Sequence, residues 1–192
     1  MNVDWNGLRD EAHEIAKQHG FWDDKLSREH FLCLIVSELM EAVESDRKGR
    51  YGNLQALSQV YDIQKKSEYG ITDEWLGNWF VVYFNDHVKD SVGDELADAI
   101  IRILDLAGKY GVNMNCFSKA HNTVSRVNTF TENIYGIVRD VVNYRFSFSE
   151  KLNFARQEIC KLAEMMGIDI YSHIRFKMKY NRHRDYLHGK KY

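Results

Sequence analysis

The 192-residue chain contains no proline. Proline interrupts a helix because it lacks the backbone N–H and its ring clashes with the preceding turn, so its absence leaves the whole chain free to be helical. Apolar residues recur at helical spacing in several stretches, and no stretch of convincing length alternates apolar and polar residues as a half-buried strand does. The sequence therefore predicts an all-α fold with five or more helices.

Capping residues and glycines predict where these helices begin and end. Helices are expected at Trp5 to His19, from Ser27 to Gly49, from Ser91 or Asp94 to Gly108 or Gly111, at 131–143, at 149–166 and at 170–181. Residues 51–92 are rich in aromatic side chains and too apolar to be a disordered linker. This stretch is interpreted as a helical insertion that covers the core.

The overall charge excludes a general nucleic-acid binder, because 26 Lys and Arg face 28 Asp and Glu. No apolar run approaches the roughly 20 residues needed to cross a bilayer, and the first residues lack the pattern of a signal peptide. A cytoplasmic protein without membrane or nucleic-acid-polymer partners is expected.

Three cysteines, Cys33, Cys116 and Cys160, are widely spaced and have apolar neighbours in the sequence. An odd number of scattered cysteines does not suit a disulfide framework or a zinc site. Buried free thiols are expected.

Two pairs of carboxylates have the spacing of one helical face: Glu38 with Glu41, and Glu95 with Asp98. Hard divalent cations prefer oxygen ligands, and two such pairs on facing helices supply four. Acidic pairs at this spacing also arise by chance, as Glu11 with Glu14 shows. What distinguishes the chosen pairs is that they lie in the two most apolar helices, where an unpaired carboxylate is costly to bury. From the residues alone, a solvated helix face remains the alternative.

Three segments of the chain resemble one known family. The run from Ser37 to Glu44, followed by Arg47-Lys48-Gly49-Arg50, is similar to the first metal-binding helix of the MazG-like all-α nucleoside triphosphate pyrophosphohydrolases. The run from Asp94 to Gly108 resembles its second metal helix. Lys177 to Arg184, with His188-Gly189-Lys190-Lys191, resembles the tail of its small members. These segments cover about a third of the chain, in the expected order.

The resemblance implies a single all-α domain over residues 1–192, a helical bundle with insertions at about 51–92 and 115–166. It implies magnesium, with manganese as the alternative metal, bound by Glu38, Glu41, Glu95 and Asp98. The implied reaction is hydrolysis of a nucleoside triphosphate, including deoxy or non-canonical ones, to the monophosphate and pyrophosphate. Glu41 is interpreted as a metal ligand that also serves as the catalytic base.

The tail of the chain is basic, with seven Lys or Arg residues from His173 to Tyr192 against one acid, Asp185. By the same resemblance, Lys179, Asn181 and Arg184 are predicted to bind the substrate, with a solvated basic helix as the alternative. Arg102, one turn beyond Asp98, is expected to pair with Asp105 rather than to contact phosphate.

A weak internal repeat joins Leu106-Ala107 and Gly111 to Leu162-Ala163 and Gly167, at an offset of 56 residues. The acids do not recur, because Lys151 and Phe154 stand where Glu95 and Asp98 would map. A degenerate duplication and a chance likeness between two amphipathic helices both explain the match.

The family resemblance and the wide apolar surface of the two acidic helices predict a homodimer or higher homo-oligomer assembled through those helices. The competing interpretation is that helices between residues 131 and 166 take the partner's place within one chain.

Two other classes of function stay open. One is a catalytically silent helical interaction module with a basic C-terminal tail. The other is a di-iron helical bundle, which is disfavoured because the chain has no Glu-x-x-His motif.

Overall fold

The computed structural model describes residues 3–65, 73–116 and 122–189. Within these ranges the chain forms eight α-helices and no strand, so the all-α prediction is confirmed. The helices are α1 Trp5–Gln18, α2 Arg28–Arg47, α3 Leu54–Lys65, α4 Asp73–His87, α5 Val92–Lys109, α6 Phe130–Val142, α7 Phe148–Met165 and α8 Ile170–Asn181, followed by a 3₁₀ turn at Tyr186–Gly189.

Local capping sets the ends of the helices that the sequence predicts. The Ser27 hydroxyl accepts a hydrogen bond from the backbone N–H of His30 at the start of α2, and the Ser91 hydroxyl caps α5 in the same way. Gly49 follows α2 with φ of 65°, a left-handed conformation that favours glycine. The predicted boundaries of α1, α2 and α5 to α8 agree with the observed ones to within one or two residues.

Helix α5 lies at the centre of the bundle, in contact with α1, α2, α7 and α8. Its apolar side chains, among them Leu96, Ile100, Ile103 and Leu104, are fully buried. Burial of each such side chain stabilises the fold by about 1.5–3 kcal/mol. The two helices that carry the acidic pairs, α2 and α5, are therefore held side by side in the main hydrophobic core.

Helices α6 and α7 pack against the α2–α5 pair, α6 on α2 and α7 on α5. The apolar residues that were expected to need a second subunit are covered within the chain: Leu39, Ile100, Ile103 and Leu104 are buried, and Leu34 and Val43 are half-buried against the same core. The arrangement agrees with the competing interpretation, in which helices of the same chain take the partner's place. The homo-oligomer stays a prediction, and its argument from unburied apolar surface no longer holds.

The internal repeat extends to the ends of both helices. Helices α5 and α7 each have 18 residues, and both their first and last residues are 56 positions apart. Their caps, Ser91 and Ser147, keep that offset, as do the glycines that follow, Gly111 and Gly167, both with positive φ. The two helices therefore share length and end structure, and not only the few residues first matched.

Residues 51–65 and 73–91 of the predicted insertion lie apart from the main core, whereas Val92, its last residue, is buried in that core. Helices α3 and α4 pack on each other, and a second hydrophobic cluster forms from Leu57, Phe80, Phe84 and Val88 with Tyr180 of α8. The predicted helical insertion is present, but it forms this separate cluster, with α8 as the link to the bundle. Residues 66–72, which belong to the predicted insertion, lie outside the described residues.

All three thiols are free, as predicted, but those of Cys33 and Cys116 are not buried. Cys33 and Cys116 are exposed, and Cys160 is half-buried. Apolar neighbours in sequence misled this prediction, because successive residues of a helix face different directions. In the described part of the chain, no helix is long and apolar enough to cross a membrane.

Candidate metal centre

Three of the four predicted ligands meet at the contact between α2 and α5. Carboxylate oxygens of Glu38, Glu95 and Asp98 all lie within 4.8 Å of one another. Glu38 and Glu95 are buried, and the Asp98 side chain is 20% exposed. Three carboxylate oxygens at this spacing suit a hard divalent cation.

Glu41, the fourth predicted ligand, is exposed and is not one of these three. It lies one turn beyond Glu38, near enough for its charge to help raise the pKa of that carboxyl. Residues three apart on a helix differ by about 60° in direction, so the second member of each pair turns toward solvent. The roles of Glu41 as ligand and base stay predictions.

Two cations of the chain already contact the cluster. Lys177 of α8 is buried, and its Nζ lies 2.8 Å from Oδ2 of Asp98 and 2.8 Å from Oδ2 of Asp94. Arg102 of α5 donates from Nε to Oε1 of Glu38 at 2.5 Å. Burial alone would lower the pKa of Lys177, but the carboxylates of Asp98 and Asp94 outweigh it and raise the pKa, so the lysine keeps its charge.

The expected pairing of Arg102 with Asp105 is wrong. Oδ1 of Asp105 instead lies 2.7 Å from Nδ1 of His13 and accepts a hydrogen bond from the Trp22 indole at 2.8 Å. Arg102 therefore remains at the cluster, on Glu38.

Negative charge exceeds positive charge at the centre. Glu38, Asp94, Glu95 and Asp98 carry four carboxylates when ionised, and a carboxylate oxygen of Asp90 lies within 4.8 Å of those of Asp94 and Glu95, whereas Lys177 and Arg102 supply two positive charges. A surplus of at least two negative charges favours binding of a divalent cation. Without a metal, burial raises the pKa of Glu95 to about 9, with the charges of Asp98 and Asp94 adding to the effect. Burial and the Asp98 charge likewise raise the pKa of Glu38.

A cleft opens beside the cluster, between α1, α2, α5 and the end of α8. One side is polar, with Glu38, Asp98, Arg102, Asn181 and Arg184; the other is apolar, with Phe21, Phe31 and Leu34 among its residues. Asn181 is 6% exposed, and its side-chain oxygen has no hydrogen-bond partner among the described residues. An unsatisfied buried amide at the wall of a cleft is available to a ligand.

The three predicted substrate-binding residues separate into two groups. Asn181 and Arg184 line the cleft, as the prediction requires. Lys179 does not line it: its Nζ contacts the hydroxyl of Tyr61 and lies 3.8 Å from the centre of that ring. Residues 179 and 181 point in nearly opposite directions on α8, which explains the separation.

The chain after α8 folds back along α1. The Tyr186 hydroxyl donates to Oδ2 of Asp23 at 2.7 Å, and the Leu187 N–H donates to the His19 carbonyl at 2.8 Å. The Tyr186 ring lies against Gly20, where a Cβ would come within 2.0 Å of it. These contacts hold the segment that carries Arg184 at the cleft. Residues 190–192 lie outside the described residues.

Lys177 and Asp94 were missed by sequence reasoning. Lys177 belongs to a tail that reads as a solvated basic segment, and Asp94 reads as a helix-capping residue. The available signal was spacing, because Lys177 lies one turn before Asn181 and therefore shares its side of α8.

Comparison with known proteins adds no assignment. No protein-family model, curated protein or solved structure matches the chain.

Proposed function

We propose that this protein is a metal-dependent hydrolase of the MazG-like all-α kind, which cleaves a nucleoside triphosphate to the monophosphate and pyrophosphate. The observation that carries the proposal is the cluster of Glu38, Glu95 and Asp98, whose carboxylate oxygens lie within 4.8 Å at the wall of a cleft. Nitrogen and sulfur ligands are absent from this cluster, so magnesium fits it best, with manganese as the alternative.

Magnesium, when bound, offsets phosphate charge and lowers the pKa of a water ligand. The excess of negative over positive charge among the described groups of the centre supports a resident divalent cation. Glu41, exposed one turn beyond Glu38, is the base that this proposal assigns to take a proton from the attacking water.

The cleft suits a molecule with a polar and an apolar end. Arg102 and Arg184 supply positive charge for phosphate oxygens near the carboxylates. The side-chain oxygen of Asn181 has no hydrogen-bond partner among the described residues. It is available to accept a hydrogen bond from an amino or imino group of a nucleobase. The apolar side, with Phe21 and Phe31, offers surface to a base.

The test is to incubate the protein with each canonical ribo- and deoxynucleoside triphosphate plus magnesium and to separate the products by anion exchange. Monophosphate and pyrophosphate are expected from at least one substrate, and neither in excess chelator nor with Glu95→Gln. Orthophosphate as the primary product, or turnover that survives chelation, would contradict the proposal.

A catalytically silent interaction module is the second candidate, and one observation favours it. Lys177 and Arg102 already pair with Asp98 and Glu38, as in a purely structural ion-pair network. Manganese binding followed by electron paramagnetic resonance separates the two. A bound signal that Glu95→Gln abolishes supports the hydrolase, and its absence in the wild-type protein supports the module.

A further inference from the structure

A second cleft, beside α7, contains a buried arginine. Arg156 is 2% exposed, and its Nε and Nη2 have no hydrogen-bond partner among the described residues. The cleft has a volume of about 590 Å³, within the usual range of small-ligand sites. It lies between α7, the start of α8 and the residues that begin α1, and it shares no residue with the cleft at the metal centre.

An arginine in this position is costly unless an anion pairs with it. Its guanidinium stays charged in proteins, and burial without a counter-charge costs several kcal/mol. The guanidinium carbon lies 4.3 Å from the centre of the Trp5 ring. Such a contact offsets part of the cost, on the order of 2 kcal/mol when desolvated, but gives no acceptor to Nε and Nη2.

No described group of the cleft acts as the counter-ion. The Cys160 thiol is hydrogen-bonded to the Arg156 guanidinium, but burial raises the pKa of that thiol to about 12, so it is neutral and supplies no negative charge. Asp169 uses its carboxylate oxygens to accept from the N–H and hydroxyl of Ser172 at the start of α8. Glu164 is exposed, and Lys161, the other cation of the cleft, donates to Asn122 and Val124.

The residues that line the cleft also indicate which chemical groups a ligand would carry besides its anion. Tyr171, Ile168 and Ile170 give it apolar lining, and Tyr171, which is 44% exposed, packs its ring against that of Trp5. The first turn of α8 forms part of the wall, and the helix dipole favours negative charge there.

We propose that this cleft is a binding site for a small molecule that presents an oxyanion, a phosphate or carboxylate, to the guanidinium of Arg156 and packs its apolar part against Tyr171. The planar fork of N–H donors pairs with either oxyanion through two parallel hydrogen bonds. The site stands independently of the proposed hydrolase activity.

The experiment measures thermal unfolding of the full chain in chelator, which keeps metal-bound phosphate out of the other cleft. Phosphate, adenosine monophosphate and benzoate are titrated at constant ionic strength, with chloride as the reference. At least one oxyanion should raise the melting temperature saturably, as a ligand of the folded state does. A larger effect of the monophosphate than of phosphate or benzoate assigns a nucleotide phosphate, and a larger effect of benzoate assigns a carboxylate.

Three variants locate the effect. Arg156→Met should abolish the oxyanion response and unfold no earlier than wild type in chloride, because an apolar chain replaces an unpaired charge. Arg156→Lys keeps the charge without the fork and should weaken binding at least about tenfold, the equivalent of roughly 1.4 kcal/mol. Arg145→Met, at an exposed arginine, should respond as wild type does. A wild-type protein that responds to no oxyanion beyond chloride, or equal responses in wild type and both Arg156 variants, overturns the proposal.

Discussion

The ammonium nitrogen of Lys177 lies 2.8 Å from Oδ2 of Asp98. The same atom lies 2.8 Å from Oδ2 of Asp94, so one buried lysine of α8 joins two carboxylates of α5. Asp98 belongs to the metal cluster, and Asn181, one turn further along α8, lines the cleft beside it. The position of the C-terminal helix is therefore tied to the position of a predicted metal ligand.

Replacing Lys177 by Met should lower the free energy of unfolding of the metal-free protein by about 3–5 kcal/mol, because it leaves the buried carboxylate of Asp94 and the half-buried carboxylate of Asp98 without their cation. Urea denaturation measures the loss. Lys89→Met, at an exposed lysine, serves as the control. Adding Asp94→Asn to Lys177→Met should recover part of the loss; a Lys177 variant as stable as the control would show that the ion pairs contribute little.

Glu95→Gln should abolish hydrolysis and raise the melting temperature of the metal-free protein by a few degrees. Glu95 is buried, has no ion pair among the described residues, and is repelled by Asp98 and Asp94. Glu38→Gln and Asp98→Asn should also remove activity but not stabilise, because each gives up an ion pair with Arg102 or Lys177. Scanning calorimetry measures the melting temperatures of the three variants, with Glu164→Gln as a control at an exposed glutamate. A Glu95→Gln protein that melts below the wild type would refute the prediction.

Stability without metal should fall as pH rises from about 4.5 to about 9. The unfolded Glu95 carboxyl ionises near 4.5, whereas burial raises its folded pKa to about 9, so the folded state holds the extra proton across this window. Magnesium replaces that proton, so the gain in melting temperature from magnesium over chelator should increase with pH. Melting curves at pH 6, 7, 8 and 9 measure it. Equal pH slopes for wild type and Glu95→Gln in chelator would contradict the assignment.

Gly20→Ala should raise the Michaelis constant of the proposed reaction about tenfold, the equivalent of losing one charge-assisted hydrogen bond of roughly 1.5 kcal/mol. A Cβ there would collide with the Tyr186 ring and move the segment that carries Arg184 away from the cleft. Gly49→Ala is the matched control, since Gly49 also has positive φ but has nothing within 4 Å of the added carbon. Similar Michaelis constants in both variants would reduce the effect to backbone strain.

Sedimentation equilibrium tests the predicted homo-oligomer. Because α6 and α7 cover the α2–α5 pair, a dimer has to form through another surface. A mass of twice 22.6 kDa or more would support the oligomer. A mass near 22.6 kDa across micromolar concentrations would rule it out and leave the internal helices as the only partner.

The helices were predictable because their signals are local. Serine caps, glycines after the last turn and apolar spacing act within a few residues, and they placed α2 and α5 nearly correctly. The second hydrophobic cluster was not predictable, because whether Phe84 packs on the core or on Tyr180 depends on contacts between distant segments.

The candidate site was predictable only in part, for a related reason. Spacing places Glu95 and Asp98 near one another, but it does not say how far each side chain turns from the core, which is what separates Glu41 from the cluster. Residue spacing also does not show that the Lys177 side chain forms an ion pair with α5, or that the Lys179 side chain lies among aromatic rings.

Helices α5 and α7 match in length and caps but differ in their roles. Both fill the bundle, with equal lengths and equivalent caps, but only α5 carries the clustered acids. An interface made by one continuous chain forms at a rate and with a stability that do not depend on protein concentration, unlike that of an obligate dimer. In this single chain, α7 can accept a substitution that leaves α5 unchanged. In a symmetric dimer, every substitution would appear in both copies of the same helix.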